Sequence, residues 1–392
     1  MSWIGIIAFV VALVASVMIH EAGHFLMARR FGMKVTEFFV GFGPRLYSRV
    51  RGETEYGVKA IPAGGYVRII GMTPSEQIAP EDEPRAFYRA SVGRRIAVLA
   101  AGSISHIVLG FLLVYLLLAG VGVSVQTTTL GSVSKCLPTS TNVDCTASST
   151  PSPALAAGLK PQDRLVAING TKLNSWSDAV KVIQGSANKP LQITIERDHK
   201  LLTLKATPAE VAGKGLLGIT SEIASKRENP AVAVKDAAGS TWKMGSQSIL
   251  ALVTLPAKIP GLWRQTFDNQ PRDLNGLVGV VGVARVSGQT FSARDLPWSE
   301  RIGTFILILA SLNIFIGIFN ALPLPPLDGG HIAVALVDKW RSMKARRRGL
   351  ASPAPFDVAS LIPVTLVVLG LLVSLSLLLL AADIVNPVRL NL

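Results

Sequence analysis

Charge is what this sequence has little of. Only 16% of its residues are Asp, Glu, Lys or Arg, against about 25% in an ordinary soluble domain. Beside a hydrophobic share of 49%, that scarcity excludes a disordered chain and argues against a plain water-soluble globule. Cysteine is nearly missing too. Cys136 and Cys145 are the whole supply, so a cysteine-built zinc framework is excluded. Acidic residues are the minority sign, 25 against 39 basic ones, for a net charge of +14. The basic residues sit in short clusters beside apolar runs, which fits membrane topology better than nucleic-acid binding, and no nucleic-acid partner is expected.

What is present in quantity is long apolar sequence. Crossing a bilayer takes about 20 residues, and four stretches qualify: Trp3–Ala28, Ile96–Val123, Ile302–Ala321 and Ala359–Ala382. The first is too long for a signal-peptide core and lacks a basic start, so it reads as retained. Arg29, Arg30, Lys34, Arg45 and further basic residues lie between spans one and two, and Lys339 to Arg348 carry six between spans three and four. Short basic loops stay in the cytoplasm. Both termini and the long polar stretch 124–300 are then expected outside, in a multi-pass protein of the cell membrane.

The outer stretch divides at 212. Within 124–212, Ala154–Leu159 reads as a short helix ending at a glycine, and Arg164–Ile168 as an alternating strand before the hairpin turn Asn169-Gly170. A helix is expected at Ser177–Gln184 and strands at Leu191–Arg197 and Leu201–Ala206. This order resembles a PDZ domain; a generic β-sandwich is the other reading. Residues 213–300 read as a connector. Cys136 and Cys145 would close a short Ser/Thr/Pro-rich loop in an oxidising compartment, which predicts a disulfide; two free thiols are the alternative.

The chemistry is carried by His20-Glu21-Ala22-Gly23-His24 at the end of span one. Residues four apart share a helix face, so both imidazoles can reach one metal, with Glu21 beside them as a base. Ionisable groups inside an apolar span need partners, and a zinc ion is one. Catalytic zinc takes a third protein ligand. The candidate is Asp328, in Asn320-Ala321-Leu322-Pro323-Leu324-Pro325-Pro326-Leu327-Asp328-Gly329-Gly330-His331, where prolines end span three and the glycines predict a tight irregular backbone. Non-helical backbone at membrane depth must line a cavity or be buried in protein. His331 is the competing ligand. At 1.5 Å per residue, His20 lies about 25 Å down the helix from Trp3, a depth that Asp328 also reaches from the other direction.

These two motifs resemble the site-2 protease family of intramembrane zinc metalloproteases, and within it the bacterial enzymes that cleave membrane-bound anti-sigma factors. The match is HEAGH to H-E-x-x-H and NALPLPPLDGG to N-x-x-P-x-P-x-L-D-G, and it extends to Gly41–Pro44, Ile61–Met72 and Val278–Val286. The short PDZ-like insert with two cysteines and the ending ADIVNPVRL look most like actinobacterial members. The resemblance implies that His20, His24 and Asp328 bind zinc and that Glu21 is the general base. It also implies that Asn320 holds substrate or stabilises the oxyanion, with Asn313 a second candidate. Where relatives often carry G-P-x-x-N, this chain has Gly102-Ser103-Ile104-Ser105-His106, so no asparagine role carries over there; His106 is either a hydrogen-bond donor near the metal or a polar residue packed between helices.

The expected fold is a polytopic α-helical membrane protein with four transmembrane helices, a cytoplasmic-side β segment and an extracytoplasmic β-rich PDZ-like domain. Its parts are 1–123 (spans one and two, with a membrane-associated β segment at 36–72), 124–212, 213–300 and 301–392. Tyr56–Ile61 and Tyr66–Ile70 alternate around Pro62–Gly65, which predicts a hairpin dipping towards the site. Its edge at Gly65, Tyr66 and Val67 would pair with an unwound substrate; the bland reading is a plug. The implied activity is hydrolysis of a peptide bond within the transmembrane segment of a single-span protein, an anti-sigma factor already trimmed by an upstream site-1 protease (regulated intramembrane proteolysis). The rival classes are a membrane metal-ion transporter and a catalytically silent PDZ scaffold.

Overall fold

The computed structural model describes residues 2–137, 151–268, 270–273, 276–293, 296–351, 354 and 356–388. In chain order, α1 (Ser2–Arg30) is followed by β1 (Val35–Arg51), β2 (Thr54–Ile69) and α2 (Val92–Tyr115), which ends in a π turn at Leu116–Val121. Next come β3 (Val123–Val133), α3 (Pro153–Ala156), β4 (Arg164–Ile168), β5 (Thr171–Lys172), α4 (Trp176–Gln184), β6 (Leu191–Arg197) and β7 (Lys200–Ala206). Then follow β8 (Ala209–Val211), β9 (Lys214–Leu216), β10 (Ile219–Lys226), α5 (Pro230–Phe267), α6 (Val280–Ser292), α7 (Trp298–Asn320), α8 (Asp328–Arg347) and α9 (Ile362–Val385). The chain forms two compact units, one of residues 1–121 with 228–392 and one of residues 122–227.

Among the described residues of the first unit, four helices are long and apolar enough to cross a membrane: Trp3–Arg30, Val92–Val121, Trp298–Asn320 and Ile362–Val385. Each coincides with an expected span to within a few residues. Small residues let these helices approach closely. A Cβ on Gly23 of α1 would lie 2.5 Å from Ser105 Oγ and 2.7 Å from the Ala101 carbonyl of α2, and one on Gly5 would lie 2.6 Å from the Ser287 carbonyl of α6.

The β segment departs from the expected hairpin. Residues 35–40 pair with 65–69 on one side and with 55–58 on the other, while 45–51 pair with 54–59. The order across the sheet is therefore 65–69, 35–40, 54–59, 45–51, and the two stretches expected to form one hairpin never touch as strands. The reason lies in Gly41-Phe42-Gly43. Both glycines take positive φ, +83° and +82°, and a Cβ on Gly41 would sit 2.6 Å from the Ile61 carbonyl. Only glycine folds the chain back here, and that inserts residues 35–40 between the alternating runs. Beneath the sheet, Ala28, Met33, Val35, Ile69, Phe87, Val98 and Leu99 form one buried cluster.

Three helices lie in regions that read as connector or loop. The helix α5 starts at Asn229, whose side chain accepts from the Ala231 amide at 3.0 Å, with Pro230 in the first turn. The start of α6 is held by Asp383 of α9, which is buried and accepts from the Gly282 amide at 2.7 Å. This carboxylate at a helix N-terminus joins the Val278–Val286 motif to the ADIVN motif, and Asn386 adds donations to the Gln265 and Gln270 carbonyls at 2.8 and 2.9 Å. The third, α8, begins at Asp328 itself. Gly329 and Gly330 are helical, not irregular as expected. Their role is steric: a Cβ on Gly329 would lie 2.2 Å from the carbonyls of Ala321 and Leu322, and one on Gly330 would lie 2.6 Å from the Pro325 nitrogen.

The second unit is built on a sheet of order β10-β3-β4-β6-β7, with β5 pairing β4. Asn169 and Gly170 both take positive φ, +49° and +79°, the two-residue turn that suits a tight hairpin. Leu191, Ile193 and Ile195 alternate inward on β6 and pack with Leu165, Ile168, Trp176 and Ile183. Asp163 is buried and accepts from Arg197 Nε and Nη2, both at 2.7 Å, and from the Lys160 amide at 2.7 Å. Because β10 pairs with β3, the compact unit runs on to Arg227, past the boundary at 212 that the sequence pattern suggested. Cys136 is buried; Cys145 lies outside the described residues.

Candidate metal centre

Helical spacing puts His20 and His24 on one face of α1, and the turn after α7 brings Asp328 to them across 304 residues of chain. The three ligand atoms form a triangle. His20 Nε2 and His24 Nε2 are 3.1 Å apart, and Asp328 Oδ2 lies 3.3 Å from the first and 3.4 Å from the second. Four-coordinate zinc with bonds of about 2.0–2.1 Å spaces its ligands by about 3.3–3.4 Å along the tetrahedral edge. Three lone-pair atoms brought this close repel one another unless a cation or protons lie between them. His20 and His24 are both buried, and Asp328 Oδ2 has no hydrogen-bond donor. The residues fit a tetrahedral metal with one position left open.

Neighbouring groups aim the ligands. His24 Nδ1 donates to the Val98 carbonyl at 2.8 Å, which directs Nε2 to the centre of the triangle. His20 Nδ1 is buried and has no hydrogen-bond partner among the described residues. The backbone of α2 walls the site at Gly102, where a Cβ would lie 2.4 Å from His24 Nε2 and 2.6 Å from His20 Cε1. The sequence marked this glycine only as the start of the stretch that departs from G-P-x-x-N and gave it no role; its signal was the run of small residues from Ala100 to Ser103.

Glu21 stands outside the ligand triangle, and the Val67 backbone amide of β2 faces its carboxylate. The strand edge 65–69 therefore runs past the base. A Cβ on Gly65 would lie 2.9 Å from the Phe39 backbone carbonyl and 2.5 Å from Met18 Sδ of α1, so glycine suits this close packing. Tyr66 points to the other face, where its hydroxyl bonds Glu37 and its ring stacks on Phe39. His331 is not among the clustered ligand atoms; it lines a separate recess with Phe87, Arg95 and Phe356.

Asn313 does not have the free donor that a substrate role requires. It is buried, its Nδ2 donates to Ser16 Oγ at 3.1 Å and to the Leu309 carbonyl at 2.8 Å, and its Oδ1 meets His106 Nδ1 at 2.8 Å. His106 in turn lies beside His20, with ring centroids 5.0 Å apart. The two form a polar link between α2 and α7 behind the metal ligands. Asn320, at the last residue of α7, is half-buried at the turn that leads to Asp328.

The chain matches peptidase family M50 over residues 8–363. It is 35% identical over 405 residues to the zinc metalloprotease Rip1 of Mycolicibacterium smegmatis, covering 98% of each chain. It is also 35% identical over 417 residues to the zinc metalloprotease Rip1 of Mycobacterium tuberculosis (strain H37Rv), again covering 98% of each. With a match of that extent, this chain belongs to peptidase family M50.

Proposed function

We propose that this M50 member is a zinc-dependent intramembrane endopeptidase of the site-2 type, with His20, His24 and Asp328 as metal ligands and Glu21 as general base. The observation that carries this reading is the ligand triangle with edges of 3.1–3.4 Å, set on a membrane-length helix. When bound, zinc supplies Lewis acidity that activates water and polarises the scissile carbonyl. Glu21 takes the proton of the attacking water and returns it to the leaving amine. A helical substrate hides its carbonyls in i to i−4 bonds, so it must be unwound. The edge 65–69 offers backbone partners for that extended strand beside Glu21, with Gly65, Tyr66 and Val67 as its contact residues. Asn320 is the candidate for holding substrate.

The substrates on this reading are single-span membrane proteins, anti-sigma factors trimmed beforehand by a site-1 protease. The clusters Arg29–Arg51 and Lys339–Arg348 face the cytoplasm, which places both termini and residues 122–227 outside. The order of helix, hairpin, helix and two strands in that unit supports a PDZ-like module, and a Cys136–Cys145 disulfide would close its loop.

The test is cleavage of a tagged single-span substrate by the purified full chain with and without a zinc chelator, alongside metal analysis of variants. Glu21→Ala leaves a folded, zinc-loaded and inactive protein; His24→Ala loses metal; Asp328→Asn weakens zinc, because a neutral amide is a poor ligand. Full activity of the Glu21 variant, or chelator-resistant cleavage, would sink the protease assignment.

A further inference from the structure

The sheet has two faces with different electrostatics. On one, the arginines are matched by carboxylates, Arg45 by Glu55 and Arg68 by Glu37 and Glu76, and Lys59 lies over the Phe39 and Tyr66 rings. The other face is turned to α1. The rows Phe38, Tyr56, Arg49 and Val40, Val58, Tyr47 lie on it by register. Its inner members meet α1, with the Phe25 ring 5.3 Å from Phe38 and 5.9 Å from Tyr56. Its outer members overhang. Tyr47 is 66% exposed and Val58 42%, and Arg49 and Arg51 alternate with Tyr47 along the same outer strand.

Between this overhang and the end of α1 lies an open recess of about 440 Å³ lined by Arg29, Arg51, Gly52 and Tyr56. Among the described residues, Arg29, Arg49 and Arg51 have no carboxylate within ion-pair distance. Glu53, next along the chain from the lining Gly52, is bound bidentately by Arg85 at 2.6 and 2.7 Å, so its charge is already matched. The recess is thus positive, with an apolar flank.

Its depth follows from the sequence. Arg29 and Arg30 close the apolar run of α1, so whichever side of the membrane they occupy, they mark the headgroup level. A tyrosine and valine left uncovered at that level belong in the acyl boundary, and unpaired arginines just above it attract anionic lipid.

We propose that this recess is a binding site for the headgroup of an anionic glycerophospholipid, with Arg29 and Arg51 on the phosphate, Arg49 beside it, and Tyr47 and Val58 against the acyl chains. The proposal does not depend on the protease reading. Bound lipid would brace the outer strand, and with it the sheet whose far edge passes Glu21.

The experiment photolabels the purified full chain with diazirine-tagged phosphatidylglycerol and, separately, phosphatidylcholine, and maps the labelled peptides. Expected is labelling of residues 45–58 by phosphatidylglycerol at least about fivefold above phosphatidylcholine, falling about fivefold for each of Arg29→Gln and Arg51→Gln. Arg51→Lys should keep most of it, and Arg68→Gln, on the opposite face, all of it. Zinc content checks that each variant is folded. Equal labelling by the two lipids, or labelling that survives the double variant, overturns the proposal. Displacement by inorganic phosphate overturns it in favour of a free-anion site, and displacement by a soluble juxtamembrane peptide in favour of a protein partner.

Discussion

Gly102 is the residue on which the metal centre's geometry leans without contributing a ligand. Any side chain there meets both imidazoles, His24 Nε2 at 2.4 Å and His20 Cε1 at 2.6 Å, and both rings are buried, with His24 tied by its bond to the Val98 carbonyl. Gly102→Ala should therefore cut zinc affinity by at least about tenfold, the range seen when groups that orient ligands are lost. Gly93→Ala on the same helix is the control. A Cβ there meets nothing within 4 Å, and alanine favours the helix by up to about 1 kcal/mol. Zinc content of the two purified variants decides it; equal zinc in both would mean the wall at Gly102 yields. The candidate ligands were readable because each end carries a local motif, the four-residue spacing of His20 and His24 and the proline-marked turn before Asp328, although 304 positions separate His24 from Asp328. The His106–Asn313 link carries no motif at either end, and only the packing of α2 on α7 joins its residues across 207 positions.

At the scale of elements, the strand edge 65–69 and the Asp163 turn each carry a distinct expectation. Val67→Pro removes one backbone donor of the edge, the amide that faces Glu21. Cleavage should fall more than about tenfold while zinc and expression persist, if the edge seats the substrate; unchanged cleavage would leave the edge as a plug. In the second unit, burial alone would raise the Asp163 carboxyl, but the two Arg197 bonds and the Lys160 amide outweigh it and hold the group below its ordinary 3.8. A carboxyl lowered by folding contributes stability above the unfolded-state value, and that stability is lost as pH falls through the folded-state value. Residues 122–227 should thus lose hydrogen-exchange protection below about pH 4, and Asp163→Asn should flatten that acid limb while lowering protection at neutral pH. The strands and turns of this unit were readable because alternation and Asn-Gly act locally. The order of the other sheet was not, because alternation says which face a residue takes and not which strand lies beside it. The helices α5, α6 and α8 were missed for a related reason: 213–300 read as a connector and the paired glycines as irregular backbone, and it is tertiary contact, such as Asp383 on the start of α6, that settles α6 as helix.

For the whole molecule, the way the second unit is inserted matters more than its own fold. The chain enters it at β3 and leaves at β10, and Val123 pairs directly with Lys226 in antiparallel register. Opposed residues in such a ladder are about 4.5–5.5 Å apart, so the two crossing points stand side by side and a few residues can bridge them. All the metal ligands, the base and the strand edge belong to the other unit. Replacing residues 124–225 by a short Gly/Ser linker should therefore leave zinc bound at the wild-type level, because nothing that shapes the ligand triangle is removed and the closure entropy of so short a loop is small. Catalysis on a single-span substrate should persist as well. If the insert acts as a filter on substrate entry, the shortened chain should also cleave untrimmed single-span substrates, and the full chain should not. Metal analysis comes first in this test. Lost zinc would mean that the first unit needs the insert to fold; retained zinc with no gain on untrimmed substrate would remove the filtering role and leave the centre itself untouched.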